Sequence, residues 1–432
     1  MSLPGTDPPP LSRLIPMRSL GVFLLACVLI GPGFVSAITP AGGQIFDFFK
    51  EWAAVRNRQA EIPVYSNQRI AVERHLGITL ADDPGFFDEY NTHPPSANLI
   101  AVPFASMSYR DAHRAWNLLS LIFLAATIWL IGRQVETPNG PAGYLVAMSV
   151  LLVCDPLRQS LFQGQPNLLL GLLISGAWVA DRRDRSGLAG ALLAIASAIK
   201  IYPAFIFLYF LVRRRWWAFA GGLCGAAIIS AATVAIFGIQ CYRDYFVTAL
   251  PALRGVTNNW GNTSVLAFWE RLFGTPTSVI TTLYPSPVLL RGCVVASIGV
   301  LLVALIVVIR RARTRDDRDV AFCLTMTAML LASPTTWSHY FIILPPVVFV
   351  ALRETAGRPV PRITLYLALT ALTLSPRLVW RQVFDYAGSE SVTVVPWQAL
   401  TAMSYQTYAL LAVMIVLRAR RKKSETDTGP KN

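Results

Sequence analysis

Charge is what this 432-residue chain has least of. Asp, Glu, Lys and Arg make up 14% of it against 54% hydrophobic residues, about half the charged share of a soluble domain. That excludes an ordinary soluble globular protein. Acidic residues are the scarcer sign, 24 against 38 Lys and Arg, which leaves a net charge of +14. The basic residues do not form a nucleic-acid surface, because no aromatic-interleaved patch or binding motif accompanies them. They fall instead in short clusters between apolar runs: Arg182, Arg183 and Arg185; Arg213 to Arg215; Arg310 to Arg318; Arg418 to Lys423. The six cysteines include no CxxC pair and no disulfide-like spacing, which excludes a zinc ribbon, a redox motif and a disulfide scaffold. A Gly-rich phosphate loop and a His/Glu/Asp cluster at metal spacing are also missing, so no nucleotide, metal or other cofactor is expected.

What the chain does have is long apolar runs. Ser19 to Ile38, Trp216 to Phe237, Val288 to Ile309 and Ala399 to Leu417 each approach the ~20 residues that a helix needs to cross a bilayer. In lipid the backbone must pair internally, so the expected fold is all-α and polytopic, with about 10–12 transmembrane helices. Residues 1–18 read as a disordered cytoplasmic tail, 19–418 as one membrane-embedded domain, and 419–432 as a basic cytoplasmic tail. The apolar stretch from Leu20 resembles a signal peptide, but the spans after it favour an uncleaved first helix. Residues 39–112 form the longest polar stretch, read as an extracytoplasmic loop region. Further spans are expected at His113 to Ile131, Ala142 to Leu161, Leu168 to Ala180, Val320 to Ala332, Tyr340 to Leu352 and Ile363 to Val379.

Gly187 to Val212 has an Arg cluster on each flank. Basic clusters favour the cytoplasmic side, so the segment is read as a hairpin that enters and returns, with Lys200 and Pro203 at its tip. This topology puts both termini and the Arg-rich loops in the cytoplasm. It places six polar stretches on the outer face: Phe46-Asp47-Phe48, Thr92 to Pro95, Gln163 to Asn167, Lys200 to Pro203, Asn258 to Ser264 and Ser333 to His339.

Each stretch has a plain reading beside a chemical one. Asp47 among Phe46, Phe48, Phe49 and Trp52 is either an interfacial carboxylate or a general base whose pKa the apolar rings raise. Lys200 either snorkels to the interface or meets a phosphate as a point charge. His339 and Trp337 suit a phosphate and a sugar face, or an aromatic belt. Gln165 and Asn167 suit hydroxyl recognition, or an ordinary helix entry.

Taken in order along the chain, these residues resemble glycosyltransferase family 87, the polyprenol-phosphate-sugar-dependent mannosyltransferases and their relatives. The resemblance rests on Asp47-Phe48 with Tyr65, His93-Pro94-Pro95 through Pro103-Phe104, Gly164 to Asn167, Ala198 to Pro203, Asn262-Thr263-Ser264, and Ser333-Pro334 to His339. His93 stands where the family more often has Tyr. The resemblance implies a C-type membrane glycosyltransferase fold. It implies transfer of a hexose, mannose first, from a polyprenyl-phosphate donor to an extracytoplasmic glycolipid or glycan acceptor, with inversion and without a metal. Asp47 would be the base, and Lys200 and His339 would hold the donor phosphate. His93, Gln165, Asn167, Tyr202, Asn262, Ser264 and Trp337 would line the substrate pockets. The rival reading is a transporter or flippase, which would place its polar groups near the midplane of related halves. Membrane lipid is the surrounding partner in either case, and nucleic acid is in neither.

Overall fold

The computed structural model describes residues 35–39, 45–79, 90–135, 154–252, 261–277, 280–384 and 394–419. The two tails, most of the first span, residues 142–153 and Asn258 to Trp260 lie outside the described residues. Within them the chain is helical, and the one bridge is an isolated Ile280–Val394 pair. The all-α expectation is met.

Among the described residues, four helices are long and apolar enough to cross a membrane unaided: α3 (Tyr109–Gly132), α8 (Trp216–Phe237), α10 (Pro287–Arg311) and the segment Pro396–Arg418, whose last part is α15 (Tyr405–Arg418). A fifth would be α13 (Pro359–Thr373) with α14 (Pro376–Phe384), which are bent by 86° at Leu374-Ser375. The remaining expected spans are shorter helices inside the bundle, so equal full-length crossings are not what the chain builds. These are α5 (Asn167–Arg182), α6 (Ser186–Ile199), α7 (Phe207–Val212), α11 (Arg315–Ala332) and α12 (Pro345–Glu354). Proline sets several of the breaks, at Pro203, Pro345 and Pro376, where a backbone donor is missing.

Two outer helices expose apolar surface that water would not tolerate. Trp217 and Leu223 on α8 are 77% and 74% exposed, and on α10 only Leu305 and Ile309 are buried. Helices apolar on their outward face belong against lipid. The bundle interior is filled by residues such as Trp178, Tyr209, Phe210, Phe322 and Leu410. The tightest pair is α6 against α8: a Cβ on Gly190 would lie 1.7 Å from the Ala218 carbonyl oxygen, and one on Gly221 would lie 1.9 Å from that of Gly187. Only glycine permits that approach.

The molecule has two ends of different character. At one end Asp184 pairs with Arg215 at 2.7 Å and with Arg318 at 3.3 Å, and Asp319 receives both Arg182 and Arg353. The loops that carry Arg182, Arg215 and Arg318 therefore meet there. The Asp184–Arg215 pair also decides the hairpin, since it joins the loop before α6 to the loop after α7. α6 covers about 21 Å, and the 3-10 turn Tyr202–Ile206 with α7 returns about 19 Å. The expected hairpin is present, with Lys200 at its far tip.

The opposite end carries a cap made from the 39–112 region: α1 (Phe48–Gln59), α2 (Gln68–Leu76) and the 3-10 helix Pro95–Phe104. Phe48, Phe49, Trp52, Tyr65, Trp116 and Tyr245 form a second apolar cluster beneath it. The short helix α4 (Asp155–Gln163) and α9 (Val265–Phe273) lie at this end too.

Candidate active site

Four elements converge beneath the cap. α1 begins at Asp47, whose carbonyl accepts from Lys50 N at 3.0 Å. Lys50 follows by three residues and Glu51 by four, so all three side chains fall on one helical face. α4 ends at Gly164, in the left-handed region at φ +66°. A Cβ there would lie 2.5 Å from that of Phe48 and 2.7 Å from His113 Nε2. Glycine is thus required twice over, and it turns the chain so that Gln165 faces Asp47. α6 ends at Lys200, whose extended backbone (φ −139°, ψ 135°) breaks the helix at the hairpin tip. The fourth element is the 3-10 turn Ser338–Ile343, which carries His339 and Tyr340.

The side chains form a connected chain. Gln165 Nε2 donates to Asp47 Oδ2 in a short hydrogen bond, and Gln165 Oε1 accepts from Lys200 Nζ at 2.6 Å. The amide orientation is forced, since a carboxylate only accepts and an ammonium only donates. Lys200 Nζ also reaches Asn167 Oδ1 at 3.5 Å and lies 4.3 Å from the Tyr340 ring centroid. Asn167 and Ser160 both donate to the His339 carbonyl, at 3.2 and 3.1 Å. On the other side Lys50 Nζ lies 3.0 Å from Asp47 Oδ1. His93 donates from Nδ1 to the buried Glu51 carboxylate, while Tyr65 holds the His93 carbonyl at 2.7 Å.

Two buried polar atoms beside Lys200 have no partner: His339 Nε2 and the Tyr202 hydroxyl, whose ring stacks on Tyr340 at 5.1 Å. Burying such groups unpaired costs about 1–3 kcal/mol each. An oxygen-rich ligand would satisfy both.

Electrostatics corrects one expectation. Burial pushes the Asp47 carboxyl upward, but Lys50, His93 and His339 outweigh it and hold the group below its ordinary value of 3.8. Phe48, Phe49 and Trp52 are buried in the cap cluster and a third of the Asp47 side chain remains exposed, so the neighbouring charges rather than the apolar rings decide the direction.

Of the residues singled out above, the fold brings Asp47, Gln165, Asn167, Lys200, Tyr202, His93 and His339 together. Asn262 and Ser264 are spent on bracing instead. Asn262 accepts from Ser264 N at 3.1 Å and Thr336 N at 2.9 Å, and it donates to Pro334 O at 2.9 Å. Ser264 caps α9 and donates to Pro334 O at 3.1 Å. They hold the loop that presents Trp337 and His339, and Trp337 itself lies against Gly261. Lys50, Glu51, Ser160 and Tyr340 escaped the sequence reading. The three- and four-residue spacing from Asp47 signals the first two, once that stretch is read as a helix. Nothing local signals the others.

Residues 91–334 match the model of glycosyltransferase family 87. A polyprenol-phosphate-mannose-dependent alpha-(1-2)-phosphatidylinositol mannoside mannosyltransferase of Mycolicibacterium smegmatis is 27% identical, over 78% of this chain and 77% of its own. The protein of the same description from Mycobacterium tuberculosis is 24% identical, over 75% of each chain. An alpha-(1->3)-arabinofuranosyltransferase of Corynebacterium glutamicum is 26% identical, over 74% of this chain and 70% of its own. Among solved structures, ArnT from Cupriavidus metallidurans bound to undecaprenyl phosphate aligns over 93% of this chain and 77% of its own. The TM-score is 0.36 and the identity 12%, from which no residue correspondence follows.

Proposed function

The chain belongs to glycosyltransferase family 87, and from that premise we propose that it transfers a hexose, mannose first, from a polyprenyl-phosphate donor to a cell-envelope glycolipid or glycan on the extracytoplasmic face. The observation that carries this reading is the chain Asp47–Gln165–Lys200, which ends beside the unpartnered His339 Nε2 and Tyr202 hydroxyl.

A lipid-linked donor brings its phosphate to the membrane interface. Lys200 and His339 meet it there, and the Tyr202 hydroxyl is free to donate to it. Asp47 takes the proton of the acceptor hydroxyl as that oxygen attacks the anomeric carbon, and the lipid phosphate leaves from the opposite face, inverting the centre. A lipid phosphate is already a fair leaving group, so positioning and cationic stabilisation carry the step. The outward orientation follows from the positive-inside rule applied to the Arg-rich end. A carrier would keep these groups near the midplane, whereas here they collect beneath the cap.

The test is transfer of label from polyprenyl-phosphate-mannose to membrane glycolipids, with polyprenyl-phosphate-arabinofuranose as the second donor, comparing wild type with Asp47→Asn. Labelled product from wild type and a loss of at least about 10²-fold in the variant are expected for a general base. Near-normal turnover by Asp47→Asn would remove Asp47 from the mechanism.

A further inference from the structure

A cavity of about 530 Å³ lies between α9, α10, α11 and α15 and shares no residue with the site beneath the cap. That volume falls within the ~300–1,000 Å³ of sites that hold a ligand. Its walls are apolar, from Phe268, Leu301, Leu305, Leu324 and Leu411, and the exposed Val300 in its lining opens it toward the bilayer. An apolar cavity of this kind stays free of water and takes hydrocarbon.

The polar groups of the lining are paired within the protein, save one. Ser297 Oγ accepts from Trp269 Nε1 at 2.9 Å, Thr407 donates to Thr263 O at 2.9 Å, and Tyr408 donates to Leu400 O at 2.7 Å. The exception is Arg418, the single charged residue of the lining. It is exposed and makes no hydrogen bond or ion pair among the described residues. Arg418 stands at the Arg-rich end of the molecule, where α10 also finishes and the Ala312 carbonyl accepts from Arg213 at 3.0 Å. From Thr407 to Arg418, α15 runs about 17 Å. One leaflet contributes half of the ~30 Å hydrocarbon core, or about 15 Å.

The groove is thus hydrocarbon for the depth of one leaflet, with a cation at one mouth. We propose that it binds an anionic phospholipid of the leaflet at the Arg-rich end, with one acyl chain in the groove and the headgroup phosphate on Arg418. The position of the cation decides against the donor's polyprenyl chain, whose phosphate belongs at the opposite end with Lys200. A zwitterionic head brings its own cation to the phosphate, in competition with Arg418, and an anionic head does not. The deep end of the groove lies at Thr407, below Thr263, whose N–H and hydroxyl hold Thr336 O at 2.8 and 3.0 Å. An occupied groove therefore supports from beneath the brace that presents Trp337 and His339.

Full-length protein in detergent tests this, titrated with phosphatidylglycerol or with phosphatidylcholine of the same acyl chains and followed by native mass spectrometry. The wild type should bind phosphatidylglycerol about fivefold more tightly, the scale of one Arg against an anionic headgroup. Arg418→Gln should abolish that preference and leave phosphatidylcholine binding unchanged. Ala304→Phe, which puts a ring into the groove, should weaken both lipids at least about tenfold, because the ring occupies the space of the chain. A preference that survives Arg418→Gln overturns the proposal. Unchanged binding in Ala304→Phe would put the lipid on the outer surface and overturn it as well.

Two measurements need no variant. Equal wild-type affinity for the two phospholipids overturns the proposal. Undecaprenyl phosphate, added to the wild type at the same concentration, should leave bound phosphatidylglycerol in place. Its displacement of phosphatidylglycerol would assign the groove to the donor's chain instead.

Discussion

At the scale of the residue, Asp47 is governed by its neighbours' charge rather than by their apolarity. Its carboxyl is held below 3.8 in the folded protein. A group depressed in this way contributes stability that is fully present above the unfolded pKa and is lost as pH falls through the folded one. Asp47→Asn removes the carboxylate that lies 3.0 Å from the Lys50 ammonium, so the variant should melt below the wild type. That gap should be constant from about pH 8 to about pH 5 and narrow only below about pH 4, as thermal unfolding in detergent would show. A gap that widens as pH falls from 7 to 5 would mean the carboxyl is raised, as the surrounding Phe and Trp residues suggest when read as sequence alone. The aromatics were legible and their direction was not, because a side chain's neighbours in sequence point to several faces of its helix.

At the scale of the element, the site depends on one tight turn. Gly164 combines a left-handed backbone with direct contact to α1, while Gly77, the residue that ends α2, has the same φ of +66° with nothing within 4 Å of its would-be Cβ. The pair separates conformational strain from displacement. Gly77→Ala should cost only the strain, about 1–2 kcal/mol, and leave transfer unchanged. Gly164→Ala should cost more and should also push Phe48 and the start of α1 away from Gln165, reducing turnover at least tenfold by the sensitivity of reactions to misplacement. Equal losses of stability, with activity intact in both, would show that α1 is not positioned through this contact. The Gly-Gln-Pro-Asn string was readable as a motif. That its glycine packs on α1, more than a hundred residues earlier, was not.

At the scale of the whole molecule, charge is sorted between two ends that the hairpin arm α6 joins over about 21 Å. Cysteine placed at Ile201, an exposed position at the hairpin tip, and at Arg183 or Arg214, in the Arg-rich loops, reports the orientation in a background without the native cysteines. A membrane-impermeant maleimide should label position 201 on intact cells, and positions 183 and 214 only after permeabilisation. The inverse pattern would turn the active site to the cytoplasm, and opposite labelling of 183 and 214 would contradict the hairpin closed by Asp184 and Arg215.

The sequence alone determined the membrane class, the helical fold and the hairpin, because hydropathy and loop charge are properties of contiguous stretches and lipid acts on them locally. The six polar motifs were visible for the same reason. Only the tertiary structure decided which of their atoms meet. It set Gln165 between Asp47 and Lys200, left His339 Nε2 and the Tyr202 hydroxyl unpaired, and turned Asn262 and Ser264 to bracing the Pro334 loop. Those outcomes depend on how each helix is rotated and where it breaks, which packing between distant segments fixes and no local pattern encodes.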